Sequence, residues 1–298
     1  MPKPRVVPFP DDFLEPEALA DWLELSALHA ADQDASIGDL QRELDRLNHG
    51  NRESLLGNVL TEFDRRGQAA QAGYPFERGE TSVRLKGAPS DFPAYFFCLA
   101  LSYHGWNLRR GAKENPWLLF EELAFYSAKG YTGGNAILFG TSSRKGKKSK
   151  DKFKTSIQAL IKALGEGECF KSRTFSAKDS KLDLVAWKKF PDARSSQIII
   201  FGQCAAGANW RDKLTELDPE AFWDAWMTGG KGKVSSPLRS VFMPHRVFDD
   251  EEWDNRARWA RLLFDRCRVV AFAHKDTDTG KFATRLINCC RSEWKLPL

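Results

Sequence analysis

Residues 178–213 read KDSKLDLVAWKKFPDARSSQIIIFGQCAAGANWRDK, and they decide the fold. A polar segment carrying Asp179 and Asp183 runs into a short apolar strand. A turn around FPDARS follows, and the strongly apolar strand QIIIFGQC then ends on Gln203. Side chains alternate along a strand, so Asp183, Val185 and Trp187 share one face. On the second strand Gln197, Ile199, Phe201 and Gln203 do the same. A hairpin that matches those faces brings Asp183 and Gln203 together at one end. A carboxylate beside a hard oxygen donor is a minimal protein contribution to Mg²⁺, which keeps several waters. Such a metal can activate a water and stabilise charge on a phosphate. Each residue also has a purely structural reading: Asp before a strand caps a turn, and a strand-end Gln can satisfy its own backbone.

Working outward, NPWLLFEELAFYSAKGY predicts a helix. Asn115 is its N-cap and Pro116 its first residue, where a missing N–H costs nothing. Glu121 and Glu122 fall in its first half, where acids also suit the helix dipole, and Gly130 is placed to end it. GYTGGNAILFG predicts a turn and a strand, KFKTSIQALIKALGEG a helix, and NWRDKLTEL a helix with Asn209 as N-cap. SVFMPHRVF, DEEWDNRARWARLLFD and CRVVAFAH read as strand, helix and strand. Strands alternating with helices of this length indicate an α/β sheet. Upstream, PEALADWLELSALHAA, SIGDLQRELDRL and SLLGNVLTEFDRRGQAA have helical spacing, with Ser36 near a helix start. ERGETSVRLKG looks like a strand or hairpin arm, and PAYFFCLALSY is a buried segment of either type. The polar cluster at His104–Pro116 suggests a helical region over 1–110 and an α/β domain over 111–298.

The chain has 298 residues, 42% hydrophobic and 29% charged, the composition of a globular protein. No run approaches the ~18 apolar residues of a membrane span. The first residues lack a secretory apolar core, so a cytoplasmic location is expected. Cys98, Cys169, Cys204, Cys267, Cys289 and Cys290 show no C-x-x-C spacing and read as reduced thiols. The five histidines form no metal spacing, and no phosphate-binding loop is present, so neither histidine-based hydrolysis nor an ATPase is indicated. The net charge of +5 gains meaning from its distribution: RKGKKSKDKFK (144–154) holds seven Lys/Arg in eleven residues. Such a run suits a phosphate backbone, through Arg144, Lys145, Lys147, Lys148 and Lys150, or is simply a solvated, self-repelling loop.

Taken in order, LFEELAFYSAKGY, KDSKLDLVAW and QIIIFGQCA resemble the motifs of Mrr-type restriction endonucleases, a branch of the PD-(D/E)xK nuclease superfamily. That family has F-E in the first core helix with G-Y after it, then D-G-G-I-D entering a strand, then an apolar strand ending Q-x-K. Phe120-Glu121 with Gly130-Tyr131, Asp179 with Asp183, and Gln203 occupy the matching positions. The resemblance covers about residues 115–215. It implies a restriction-endonuclease-like core, a central mixed β-sheet flanked by helices, behind a mostly helical N-terminal region that recognises DNA or a partner. By that resemblance Asp183 is the principal metal ligand, with Gln203 and the backbone carbonyl of Cys204, for Mg²⁺ or Mn²⁺. Glu121 or Glu122 steers the water. The implied activity is cleavage of double-stranded DNA in anti-phage defence, by a homodimer, with an ATPase or helicase as possible partner.

The chain departs from the family at Ala205, where the motif lysine should stand. Lys213 or Lys181 could replace it. If neither does, the expectation becomes a catalytically silent subunit that binds nucleic acid or a defence partner.

Overall fold

The computed structural model describes residues 7–11, 14–48, 50–107, 114–139, 150–168, 181–228, 233–277 and 280–298. The chain forms two compact units and passes between them four times. One unit comprises 1–116, 244–253 and 265–298, the other 117–243 and 254–264. The expected boundary near 110 therefore lies at 116/117. Residues 265–298, expected in the C-terminal domain, belong to the first unit. Among the described residues no helix is long and apolar enough to cross a membrane.

The first unit begins with α1 (Pro16–His29), β1 (Asp34–Ser36), α2 (Ile37–Arg46) and α3 (Arg52–Ala70). Ser36 starts α2 as its composition suggests, its Oγ accepting the Gly38 N–H at 3.1 Å. β2 (Phe76–Arg78) and β3 (Ser82–Leu85) are the arms of ERGETSVRLKG, and β1 joins them in a three-stranded antiparallel sheet ordered β1-β3-β2. PAYFFCLALSY is helical, as α4 (Pro93–His104). Residues Ala94–Leu101 are all buried, so no amphipathic period exists to separate helix from strand.

The second unit opens on α5 (Pro116–Thr132), which runs through Gly130 and stops before Gly133, whose φ is +57°. There follow β4 (Asn135–Leu138), α6 (Lys150–Leu164), β5 (Leu184–Lys188) and β6 (Ile198–Cys204). A 3-10 helix (Trp210–Thr215), α7 (Pro219–Trp226), β7 (Leu238–Phe242), α8 (Asp250–Ala260) from residue 254 onward and β8 (Leu262–Phe264) complete it. Asn209 precedes the 3-10 helix but makes no side-chain cap. The sheet is five-stranded and mixed, ordered β4-β5-β6-β7-β8, with the first three strands antiparallel and the last three parallel. One face, Val185, Trp187, Ile199 and Phe201, packs with α6 and α7 in a single apolar cluster. Leu184, Ala186 and Ile200 on the other face are equally buried, which is why β6 is apolar on both faces from Ile199 onward, although Ile198 at its start is exposed.

The last segments differ from expectation. The run ARLLFD leaves the helix after Ala260, because Arg261 adopts φ +66°, and continues as β8. CRVVAFAH is helical, within α9 (Arg266–Thr277), and α10 (Gly280–Trp294) follows. Both helices belong to the first unit.

Gly134 governs the edge of the five-stranded sheet. A Cβ there would lie 2.2 Å from the Trp187 carbonyl oxygen and 3.0 Å from Lys188 Cα, backbone atoms that cannot step aside. Gly134→Ala is expected to cost about 1–3 kcal/mol in urea unfolding. A change below about 0.5 kcal/mol would show that β4 can leave the sheet freely.

Candidate active site

The hairpin pairs with the faces that carry Asp183 and Gln203 matched. Leu184 pairs with Gly202 and Val185 with Phe201, so the residue before β5, Asp183, stands opposite Gln203. Asp183 is fixed by the ladders on both sides. Its N–H donates to Gly202 O at 2.9 Å, and its carbonyl accepts the Phe139 N–H at 2.7 Å. Its carboxylate turns across the end of β6, where Oδ2 accepts the Cys204 N–H at 2.7 Å. Gly202 permits this close assembly: a Cβ there would meet Leu184 at 2.8 Å and Phe242 at 2.9 Å.

Gln203 is 4% exposed. Its Nε2 donates to Glu216 Oε2 at 2.8 Å, while its Oε1 is buried with no hydrogen-bond donor. Lys181, at φ +46° just before β5, reaches the same Glu216 oxygen at 3.4 Å. These residues line a cleft of about 550 Å³ together with Glu121 of α5 and Lys213 of the 3-10 helix. The structure thus brings together Asp183, Gln203, Cys204, Glu121 and both candidate lysines. Glu122 is half-buried and not among the lining residues. Ala205 is fully buried, its N–H bound to Phe242 O at 2.8 Å, so the motif-lysine position faces the interior. Asp179, Arg144, Lys145, Lys147 and Lys148 lie outside the described residues, as does the side chain of Lys150. His245 lies in the first unit, its Nδ1 3.0 Å from Ser102 Oγ, and is not part of this cleft.

Trp117, Ala206, Gly207, Asn209 and Glu216 also line the cleft and were not anticipated there. Glu216 lies three residues after Lys213, one turn further on, a spacing that could have flagged it. Trp117, at the start of α5, gave no signal beyond an apolar helix position.

Electrostatics separate the two acids. Burial pushes the Asp183 carboxyl from 3.8 up to about 6, opposed by the Cys204 N–H and by Lys213 and Lys181, and reinforced by Glu216. Burial also pushes Glu216 upward, but bonds from Gln203 and Lys181 and the lysine charges outweigh it and hold Glu216 below its usual range. Because folding raises the Asp183 value, its stabilising contribution is fully present below the unfolded value near 3.9 and is lost as pH rises through about 6. In EDTA, Asp183→Asn is therefore expected to be more stable than wild type at pH 8, by about 1–3 kcal/mol. The variant and wild type should match below pH 4. A gain of equal size at both pH values in urea unfolding would refute this origin.

Among the described residues no three His, Cys, Asp or Glu side chains gather as a metal cluster. The oxygen donors lining the cleft are the Asp183 carboxylate, the Gln203 amide oxygen without a donor, the end of β6 at Cys204, and the carboxylates of Glu121 and Glu216, the latter already bound by Gln203 and Lys181. This sparse, all-oxygen set fits Mg²⁺ or Mn²⁺, which retain water, better than a metal that needs a full protein shell. Comparison of the chain with protein-family models, with curated proteins and with solved structures found no match.

Proposed function

We propose that the chain is a Mg²⁺-dependent endodeoxyribonuclease of the restriction type, as its resemblance to Mrr-type enzymes of the PD-(D/E)xK superfamily implies. One observation carries the reading: Asp183 and Gln203 are paired across a hairpin end, in a cleft shared with Glu121, Lys181 and Lys213. Asp183, Gln203 Oε1 and the Cys204 carbonyl would hold the cation. When bound, a divalent cation supplies Lewis-acid stabilisation of phosphate charge and an ionised water at neutral pH.

The chain's own groups account for the rest. Asp183, with its carboxyl at about 6, is ionised at pH 8. Glu216 anchors the N–H end of the Gln203 amide and so fixes where its oxygen lies. Glu121 accepts a hydrogen bond from the attacking water and orients it. Lys213 places positive charge on the phosphate, the part the motif lysine plays in the family. Lys181, already 3.4 Å from Glu216, is the second candidate for that part.

The buried Ala205 favours one other reading, a nuclease fold that binds nucleic acid or a defence partner without cutting. Incubating plasmid DNA with the protein in Mg²⁺, Mn²⁺ or EDTA, beside a gel shift, separates the two. Metal-dependent nicking supports the enzyme; binding that is metal-independent and never leads to cleavage supports the silent fold.

Under either reading the basic run contacts phosphates. Replacing Lys145, Lys147, Lys148 and Lys150 by Gln is expected to flatten the dependence of log K on log salt by up to about 3.6. An unchanged slope would remove the run from the interface. The proposed defence role also includes a homodimer and an ATPase or helicase partner, with the N-terminal unit recognising DNA or that partner.

A further inference from the structure

The chemistry around Asp183 is not confined to charge. Among the described residues eight large apolar side chains are left exposed, and of these Trp117 is the one that lines the cleft. It is 39% exposed at the first turn of α5, one helical turn before Glu121. Lys181 and Lys213 supply the cations a phosphate needs, Asn209 adds an amide, and Trp117 adds a flat apolar ring. Phosphate contact and ring together match one nucleotide unit: a charged backbone and a π-face. The cleft's volume of about 550 Å³ is of the size that encloses a small ligand.

This geometry bears on which form of nucleic acid enters. In a duplex both faces of a base are covered by its neighbours, and exposing one requires unstacking, at a cost of a few kcal/mol. A base can therefore lie against the exposed part of a ring beside the phosphate only once it has left its stack. We propose that Trp117 stacks on an unpaired nucleobase next to the phosphate in the cleft, so that a single strand engages the ring directly whereas a duplex does so only where a base pair opens. That the strand is a substrate rests on the nuclease reading, but the stacking contact does not require hydrolysis.

The test is fluorescence anisotropy in EDTA with end-labelled 12-mers: a single strand, the same sequence as duplex, and a backbone built wholly of abasic residues. Wild type, Trp117→Ala and Trp117→Phe are compared, with circular dichroism confirming that each is folded. Trp117→Ala is expected to weaken single-strand binding about tenfold or more and Trp117→Phe much less. Duplex binding stays within about twofold, and the abasic strand binds wild type and Trp117→Ala alike.

Equal binding of the single strand by all three proteins would overturn the proposal, as would equal losses on single strand and duplex, or a wild type that binds no single strand. A parallel reaction in Mg²⁺ keeps the two readings apart. Trp117-dependent binding without cleavage retains the stacking contact and removes the nuclease, whereas cleavage indifferent to Trp117 does the reverse.

Discussion

Asp183→Ala is expected to reduce Mg²⁺-dependent plasmid cleavage by about a thousandfold or more while leaving the protein folded and able to bind DNA. Removing a single electrostatic stabiliser at a comparable site costs about 10²–10³ in rate, and Asp183 would contribute both a metal ligand and the charge that fixes its position. The variant's stability makes the result decisive. Burial holds the Asp183 carboxyl at about 6, so the ionised group destabilises the metal-free fold at pH 8. An inactive variant that melts no lower than wild type has lost chemistry rather than structure. The lysines can be assigned in the same assay. Lys213→Ala should lose about 10²–10³-fold if it replaces the motif lysine. Lys181→Ala, which mainly releases Glu216, should lose less. Full activity in Asp183→Ala would end the metal-site reading altogether.

The second large effect is structural. Arg66 is fully buried in the first unit. Its guanidinium meets Asp21 at 2.7 Å, Glu24 at 2.9 Å and Glu62 at 2.7 Å. Arg246 also binds Glu62, at 2.9 Å, and pairs with Asp265, while Arg266 pairs with Asp21. The hydroxyls of Tyr74 and Tyr95 donate to Glu24 at 2.9 and 3.0 Å. Arg66→Met fills much of the same volume but leaves buried carboxylates uncompensated, so about 3–5 kcal/mol is expected in denaturant unfolding. Burial already raises Glu24 against the pull of Arg66 and Arg266. Without Arg66 that group would hold its proton more firmly, so the loss should be larger at pH 8 than at pH 5. For contrast, Arg42 pairs with Asp39 on an exposed helix face, and Arg42→Ala should cost at most about 0.5 kcal/mol. Equal effects at Arg66 and Arg42 would mean the buried network contributes little.

The β5–β6 hairpin could be read from sequence as two apolar strands around the FPDARS turn; both faces are apolar, so alternation alone did not fix the register, and matching the faces that carry Asp183 and Gln203 gives the pairing found. Helix α5 was equally open to reading, since Pro116 marks its start. What failed had no local signature. Leu262–Phe264 leaves the helix through a left-handed arginine, Arg261, a conformation for which glycine is the usual marker. CRVVAFAH holds two adjacent valines and a phenylalanine, yet the packing of Cys267, Val269, Val270 and Ala273 into the core as one helical face overrides that β preference. Glu216 escaped notice because its role depends on Gln203 and Lys181 converging in space. The composition of the first unit was hidden for the same reason: nothing near Asp21 announces a partner 245 residues away.

That separation has a consequence for how the chain folds as it is made. Residues 117–264 contain all of the second unit, so its sheet can assemble while the C-terminal helices are still unsynthesised. The first unit, although α1 to α3 precede the second unit in the chain, must hold Asp21, Glu24 and Glu62 without Arg246 and Arg266 until those arginines have been made. Helices α1 and α3 thus complete their ion pairs only after the residues of the second unit have been made, so for these contacts assembly runs against the order of synthesis.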